Sequence, residues 1–328
     1  MKNFLSKAHS RSIAVLLLIT GLANVSPGQQ GWVAAQRGMA GRDLNTVYFA
    51  DSKRGWVAGD DGYVSYTADG GRSWAKQTLD TTDAVNDIYF RNKEVGYLLA
   101  GNRIFKTDDS GRTWRAARSF LPKDFEGAMP ELYSVRFPGK KKGWVIGSLS
   151  RGDTVVDSFL LFTNDEGASW VRKTVPTHEE LIHLDFIDDK RGWIVGASGT
   201  ILYTEDTGET WTIQRSGVSV TLYHVDFRNN EKGWVVGERG TILRTVDGGA
   251  IWQKIPVPVR NTLLSVQFVD DDNGWIVGRG GVILRSSDSG LTWIRQDSKT
   301  DQNLYALFME KKYGWAVGGD GIVLQYER

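Results

Sequence analysis

A glycine followed by an aromatic residue recurs through this chain: Gly55-Trp56, Gly96-Tyr97, Gly143-Trp144, Gly192-Trp193, Gly233-Trp234, Gly274-Trp275 and Gly314-Trp315. Seven copies at a period of about 40 residues mean seven units of the kind that bury their apolar faces against one another. Within a unit, β-rich segments such as 46–49, 56–58, 63–66 and 74–77 are separated by turns bearing Gly or Asp, so each unit reads as four short strands. Four strands repeated at this period make a propeller blade. The 38 Gly and 13 Trp against only 7 Pro agree with many tight turns between packed strands. The expected fold class is all-β, a seven-bladed β-propeller with four-stranded blades.

A second motif, Ser/Thr-x-Asp-x-Gly-x-x-Trp, follows in six units, at 67–74, 107–114, 163–170, 204–211, 245–252 and 286–293. This is the Asp-box or BNR repeat. Its Asp can accept hydrogen bonds from nearby backbone N–H groups, and its Gly can take a conformation closed to residues with a Cβ. The box reads as a turn staple without chemistry of its own. The seventh unit stops in its third strand, at Tyr326-Glu327-Arg328, and lacks both box and fourth strand. Near the N-terminus, Gly31-Trp32-Val33-Ala34-Ala35-Gln36 reads like the fourth-strand segment Ser73-Trp74-Ala75-Lys76-Gln77. Trp32 lies 12 residues before Leu44, against 11 from Trp74 to Val85. The N-terminal strand is therefore expected to complete the last blade and close the ring, removing edges that invite aggregation.

Lys2, Lys7 and Arg11 precede an apolar run over 13–25, the order of a secretory signal, with a cleavage position after Ala23. The expected organisation is a signal peptide and short leader over 1–27 and a single propeller domain over 28–328. Without cysteine there is no disulfide framework, thiolate site or Cys nucleophile. Forty Lys and Arg against 39 Asp and Glu give a formal charge of +1, so no global field draws the chain to nucleic acid or anionic lipid.

Departures from the regular spacing locate variable surface. Trp114 to Leu132 takes 18 residues rather than 11, and Trp144 to Thr163 takes 19. Both insertions fall on blade three, on the rim that carries the hairpins between second and third strands, where loops vary without disturbing the scaffold. The hairpins on this rim differ in charge: Arg239 and Arg279 lie in adjacent blades, while Arg244 and Arg285 share one third-strand position. These four arginines are the candidate partner-binding residues, since guanidinium suits planar acidic or aromatic groups.

Catalytic signals are thin. A sialidase-like site needs an arginine cluster, an acid/base carboxylate and a Tyr nucleophile at the ring centre. The one imitation of its Arg-bearing motif, Val135-Arg136-Phe137-Pro138, falls on the inner strand of blade three at a position occupied by Tyr48, Tyr89, Asp185, Asp226, Gln267 and Phe308 in the other blades. His183 and His224 occupy one repeated site in neighbouring blades and can face each other near the channel. Two imidazoles without a third ligand read as structural. No catalytic residue, metal site or cofactor is expected.

Together, the seven blades, the recurrent Gly192-Trp193-Ile194-Val195-Gly196 and Gly233-Trp234-Val235-Val236-Gly237, and the Gly-Thr-Ile-Leu-x-Thr-x-Asp-x-Gly run over 240–249 resemble the photosystem II stability/assembly factor family, across about 28–328. The resemblance implies a non-enzymatic exported scaffold that binds a nascent reaction-centre subunit through an arginine-rich face, onto which Arg239, Arg244, Arg279 and Arg285 map. It implies a protein partner, no nucleic acid, peripheral membrane association only, and a monomer. The implied location is the periplasm or extracellular space, or the thylakoid lumen in an oxygenic phototroph. The lipid-bearing Cys of many cyanobacterial members is missing here. The alternative from the Asp-boxes is a sialidase-like or other glycan-binding or glycan-cleaving propeller.

Overall fold

The computed structural model describes residues 31–35 and 41–327; the segment read as an export signal lies outside them. The described chain forms seven four-stranded antiparallel sheets. Blades one to six span 44–77, 85–119, 129–173, 181–213, 222–254 and 263–296; blade seven combines 304–327 with 31–34. The first strands of successive blades touch one another, and those of blades seven and one also meet, so the ring is closed. Among the described residues no helix is long and apolar enough to cross a membrane.

The recurrent Gly-Trp pair follows from how blades stack. Five of the second strands are buried from end to end, as in Gly192–Gly196 and Gly233–Gly237, and only the ends of Gly143–Arg151 and Tyr313–Gly318 are less covered. The Phe ending the first strand of a blade lies against that blade's own glycine: a Cβ on Gly192 would stand 2.5 Å from the Phe186 ring, and one on Gly274 2.5 Å from Phe268. The same Phe stacks on the indole of the preceding blade. Centroids lie 3.4 Å apart for Phe227 on Trp193, 3.5 Å for Phe268 on Trp234, and 3.4 Å for Phe49 on Trp315, the pair that joins blade one to blade seven. The Asp-box tryptophan of the Phe's own blade then meets it edge-on, as Trp252 meets Phe227 at 5.7 Å and 87°. Such pairs contribute about 0.5–1.5 kcal/mol each beyond the area they bury.

The Asp-box turns close this packing from one rim. Asp69 accepts from Ser73 N at 2.9 Å and from Ser73 Oγ at 2.6 Å, while Gly71 N donates to Thr67 Oγ1 at 2.8 Å. Gly71 has φ +84°, a left-handed conformation that favours glycine. The turn also reaches the neighbouring blade. A Cβ on Gly208 would come 2.6 Å from the Trp144 ring of the blade before it, and Trp234 Nε1 donates to Ser289 O of the next blade's box at 3.1 Å. The box therefore staples blades together as well as its own hairpin.

Strand Gly31–Ala34 pairs antiparallel with Val323–Glu327, Trp32 opposite Tyr326, and completes blade seven in agreement with the expected closure. Trp32 is buried, lies 5.4 Å from the Tyr326 ring, and donates from Nε1 to Gln296 Oε1 at 3.0 Å. The two insertions of blade three pack on each other. The short turn Pro122–Phe125 buries Phe125 against Phe159 at 5.0 Å, and the lengthened strands Met129–Arg136, Gly143–Arg151 and Thr154–Thr163 extend the same sheet. Leu121, Met129, Val155 and Val156 remain exposed on this extension.

Candidate functional site

Two places bring polar chemistry together: the central channel, and the rim that carries the hairpins between second and third strands. The first strands line the channel. Each has a register shift, after its first residue in six blades, for example between Leu181 and His183 and between Leu222 and His224, and between Leu132 and Ser134 in the longer strand of blade three. The channel cavity, open to solvent, measures about 620 Å³.

Because the inner edge of each first strand has no neighbouring strand, its backbone N–H groups need other acceptors, and channel side chains supply them. Asp87 accepts from Val135 N at 2.9 Å, Asp185 from Phe227 N at 3.0 Å, Asp226 from Phe268 N at 2.9 Å, and Gln267 from Met309 N at 2.7 Å. Each bond ties one blade to the next. Arg136 is more than a neutral variant at its repeated position: its Nη1 pairs with Asp87 at 2.7 Å and its Nη2 meets His183 Nε2 at 3.0 Å. His183 and His224 face each other as their shared repeat position suggests, with rings stacked at 3.7 Å.

Burial decides the charge states here. It pushes His183 well below the usual imidazole range, helped by His224 and Arg136, and takes His224 down to about 3 with Arg136 adding to the effect. Both rings are therefore neutral at pH 7. Burial raises Asp185 against the pull of Arg136, and burial together with the Asp185 carboxylate raises Asp226 to about 7. Among the described residues no group of three His, Cys, Asp or Glu is placed to hold a metal ion.

The four arginines singled out from sequence divide between the two rims. Arg239 and Arg279 are exposed in the hairpin segments 237–240 and 278–281, though at successive rather than equivalent positions: Arg279 N bonds Thr262 O as Glu238 N bonds Thr221 O. Arg239 sits at φ 55°. Arg244 and Arg285 lie at the other end of the third strand, opposite Trp234 and Trp275. There Arg244 Nε donates to Ser289 O of the next blade's Asp-box at 2.7 Å, and Arg285 lies over the Trp275 ring at 5.3 Å. The third strand runs from one rim to the other, so one blade's hairpin and its last third-strand arginine cannot share a face.

Two further arginines join the hairpin rim. Arg260 follows Val259 beside the blade-five hairpin, where Gly240 N bonds Asn261 O at 3.0 Å, and Arg215 borders a shallow pocket with Ser198 and Gly199 of the blade-four hairpin. Arg215, Arg239, Arg260 and Arg279 are all exposed, and none forms an ion pair among the described residues. Sequence reasoning missed Arg215 and Arg260 because they sit in connections rather than in a repeated motif. The signal that finds them is the rule that these connections emerge on the hairpin rim.

Among solved structures, the chain is similar to one titled YCF48 bound to D1 peptide, at TM-score 0.75 and 20% identity over 92% of this chain and 96% of the other. It is similar to YCF48 from Cyanidioschyzon merolae at TM-score 0.72 and 19% identity, over 90% and 98%. It also resembles a GH74 xyloglucanase from Xanthomonas campestris at TM-score 0.66 and 14% identity, covering 91% of this chain but 54% of that one. At these identities the likenesses establish the propeller fold. Among curated proteins none matches the chain significantly in sequence. A family profile described as photosynthesis system II assembly factor YCF48 matches residues 72–178, 163–260, 216–297 and 258–327. With most of its length matched, from residue 72 to 327, this chain belongs to the photosynthesis system II assembly factor YCF48 family.

Proposed function

We propose that the protein is an exported, non-enzymatic scaffold that holds an extended segment of a photosystem reaction-centre subunit on the hairpin rim of blades four to six. The observation that carries this reading is the family match across 72–327. The ligand class follows from the relative whose structure contains a D1 peptide. Arg215, Arg239, Arg260 and Arg279 supply the surface: four exposed guanidiniums, unpaired among the described residues and spaced along one rim, suit the carboxylates and carbonyls of an extended chain. Arg279 also stands near Tyr223 and Tyr305 at the channel mouth, where aromatic side chains add contact area.

A glycosidase reading has less support. The only arginine lining the channel among the described residues is Arg136, and Asp87 already engages it. The basic, apolar N-terminal run motivates export, to the periplasm or extracellular space, or to the thylakoid lumen in an oxygenic phototroph. On this reading the protein works as a monomer and meets the membrane only through its partner.

The test is titration of a labelled D1 peptide by fluorescence anisotropy. Changing Arg215, Arg239, Arg260 and Arg279 together to Ala should weaken binding at least about thirtyfold, the loss of about 2 kcal/mol expected if one of them is a hot spot. Changing Arg244 and Arg285 tests the Asp-box rim in the same way. Equal affinity for the wild type and the hairpin-rim variant would remove this face from the proposal.

A further inference from the structure

The channel has an asymmetry that peptide docking on the rim does not use. At the position facing the channel centre, blades seven, one and two carry Phe308, Tyr48 and Tyr89, while blades four and five carry Asp185 and Asp226. In a seven-membered ring, the point opposite blade one is the gap between blades four and five. An aromatic arc therefore faces a pair of carboxylates across a cavity of about 620 Å³.

Arg136 and Arg228 attract these carboxylates, but neither carboxylate has a directly paired cation among the described residues. Asp185 accepts from Phe186 N at 2.9 Å and Phe227 N at 3.0 Å, and Asp226 from Phe268 N at 2.9 Å. Neither forms an ion pair among the described residues. Arg136, on blade three between the two arcs, is committed to Asp87 at 2.7 Å and lies 5.4 Å over the Tyr89 ring. With both histidines neutral, Asp87, Asp185 and Asp226 face one guanidinium on the inner strands. His224 Nδ1, in the same wall, is buried without a hydrogen-bond partner among the described residues. Carboxylates half-buried in the channel wall without a paired cation are costly to ionise, and a cavity of this size admits a small ligand.

We infer that the channel binds an organic cation, an alkylammonium or guanidinium group, held between Asp185 and Asp226 on one side and Tyr48, Tyr89 and Phe308 on the other. Carboxylates supply the charge and the ring faces add cation–π attraction. A metal ion is a poorer match, since the two aspartates lack a third ligand of the right kind. The raised Asp185 and Asp226 make a further demand. Arg136 and Arg228 pull these groups down, the neutral histidines add no charge, and burial outweighs both arginines. A bound cation favours the ionised pair, so binding releases a proton to solvent and strengthens as pH rises through 7.

The experiment titrates the full chain with n-butylammonium and n-butylguanidinium by calorimetry, with n-butanol as the neutral control. One saturable site is expected for at least one of the two cations and none for the alcohol. Binding should be about tenfold tighter at pH 8 than at pH 5, with proton release read from buffers of different ionisation enthalpy. Asp185→Asn and Asp226→Asn, each checked for an intact melting transition, should each weaken binding about tenfold. A capped tripeptide with a central lysine separates the sources: binding of the peptide points to a basic side chain of a protein partner, and binding of the free amine alone to a small molecule. Failure of both cations to bind the folded wild type, or unchanged binding in the folded double Asp→Asn variant, overturns the inference.

Discussion

The two rims of this ring are made by the same repeats and use charge in opposite ways. On the Asp-box rim the carboxylates are consumed locally: Asp165 takes the Ser169 hydroxyl and N–H and the Thr163 hydroxyl, and the Ser169 hydroxyl does most to hold it down at about 2. Even the arginines there are committed, Arg244 to the next blade's box and Arg285 to Trp275. On the hairpin rim Arg215, Arg239, Arg260 and Arg279 stand exposed without ion pairs among the described residues. Charge that repeats with the blades holds blades together. Charge that breaks the repeat is left over for something outside the fold.

Removing residues 28–38 is the most severe way to probe that scaffold. It takes away the strand opposite Val323–Glu327 and uncovers Tyr326 and Trp275, so the sharp melting transition should be lost and the chain should self-associate on gel filtration. Unchanged melting would show that the ring does not need this closure. Next in size, Trp234→Ala empties a fully buried site between blades five and six and should cost about 3–5 kcal/mol in denaturant titration. Gly192→Ala, which drives a methyl into Phe186, should cost about 1–3 kcal/mol. Both variants should bind the peptide normally below their melting temperatures, and loss of binding in either would blur the distinction between scaffold and rim.

The channel gives an intermediate effect of opposite sign. Asp226 is raised when folded, so the native state holds a proton that the unfolded chain releases between about pH 4 and 7. Stability therefore falls as pH rises through that window. Asp226→Asn removes this loss, and melting above pH 7 should show it more stable than wild type by a few kcal/mol, the gap closing below pH 4. An Asp226→Asn variant less stable at every pH would place a needed negative charge there.

The Asp-boxes have the reverse dependence. Asp165 is depressed when folded, so its contribution is present above about pH 4 and is lost as pH falls toward 2; Asp165→Asn should therefore be less stable than wild type at neutral pH and flatten that acid limb, the two proteins converging toward pH 2. Smallest of all, alanines at Arg215, Arg239, Arg260 and Arg279 should each alter stability by no more than about 0.5 kcal/mol while reducing peptide affinity. A large stability loss at any of them would make that residue part of the scaffold.

Much of this scaffold is legible in the chain. The Gly-Trp pairs count the blades because a Phe ring lies on each of six of these glycines, with Met309 in blade seven, leaving no room for a Cβ. Trp32 foretells ring closure because it keeps the spacing of an Asp-box tryptophan, and His183 and His224 meet because they share a repeat position. The sites are less legible. Arg244 and Arg285 repeat as faithfully as the hairpins, yet the third strand carries them to the far rim. The register shift in every first strand disturbs simple alternation, which obscures which residues face the channel.

The sequence by itself determined the number of blades, their four-stranded form, the closure and the place of the insertions, because each rests on a local spacing repeated around the ring. Only the tertiary structure decided that Asp185 and Asp226 face Tyr48, that Arg136 is neutralised by Asp87, and that Arg215 and Arg260 share a rim with Arg239 and Arg279. Those relations join residues from different blades, and they exist only once the ring has closed and fixed which positions stand opposite one another.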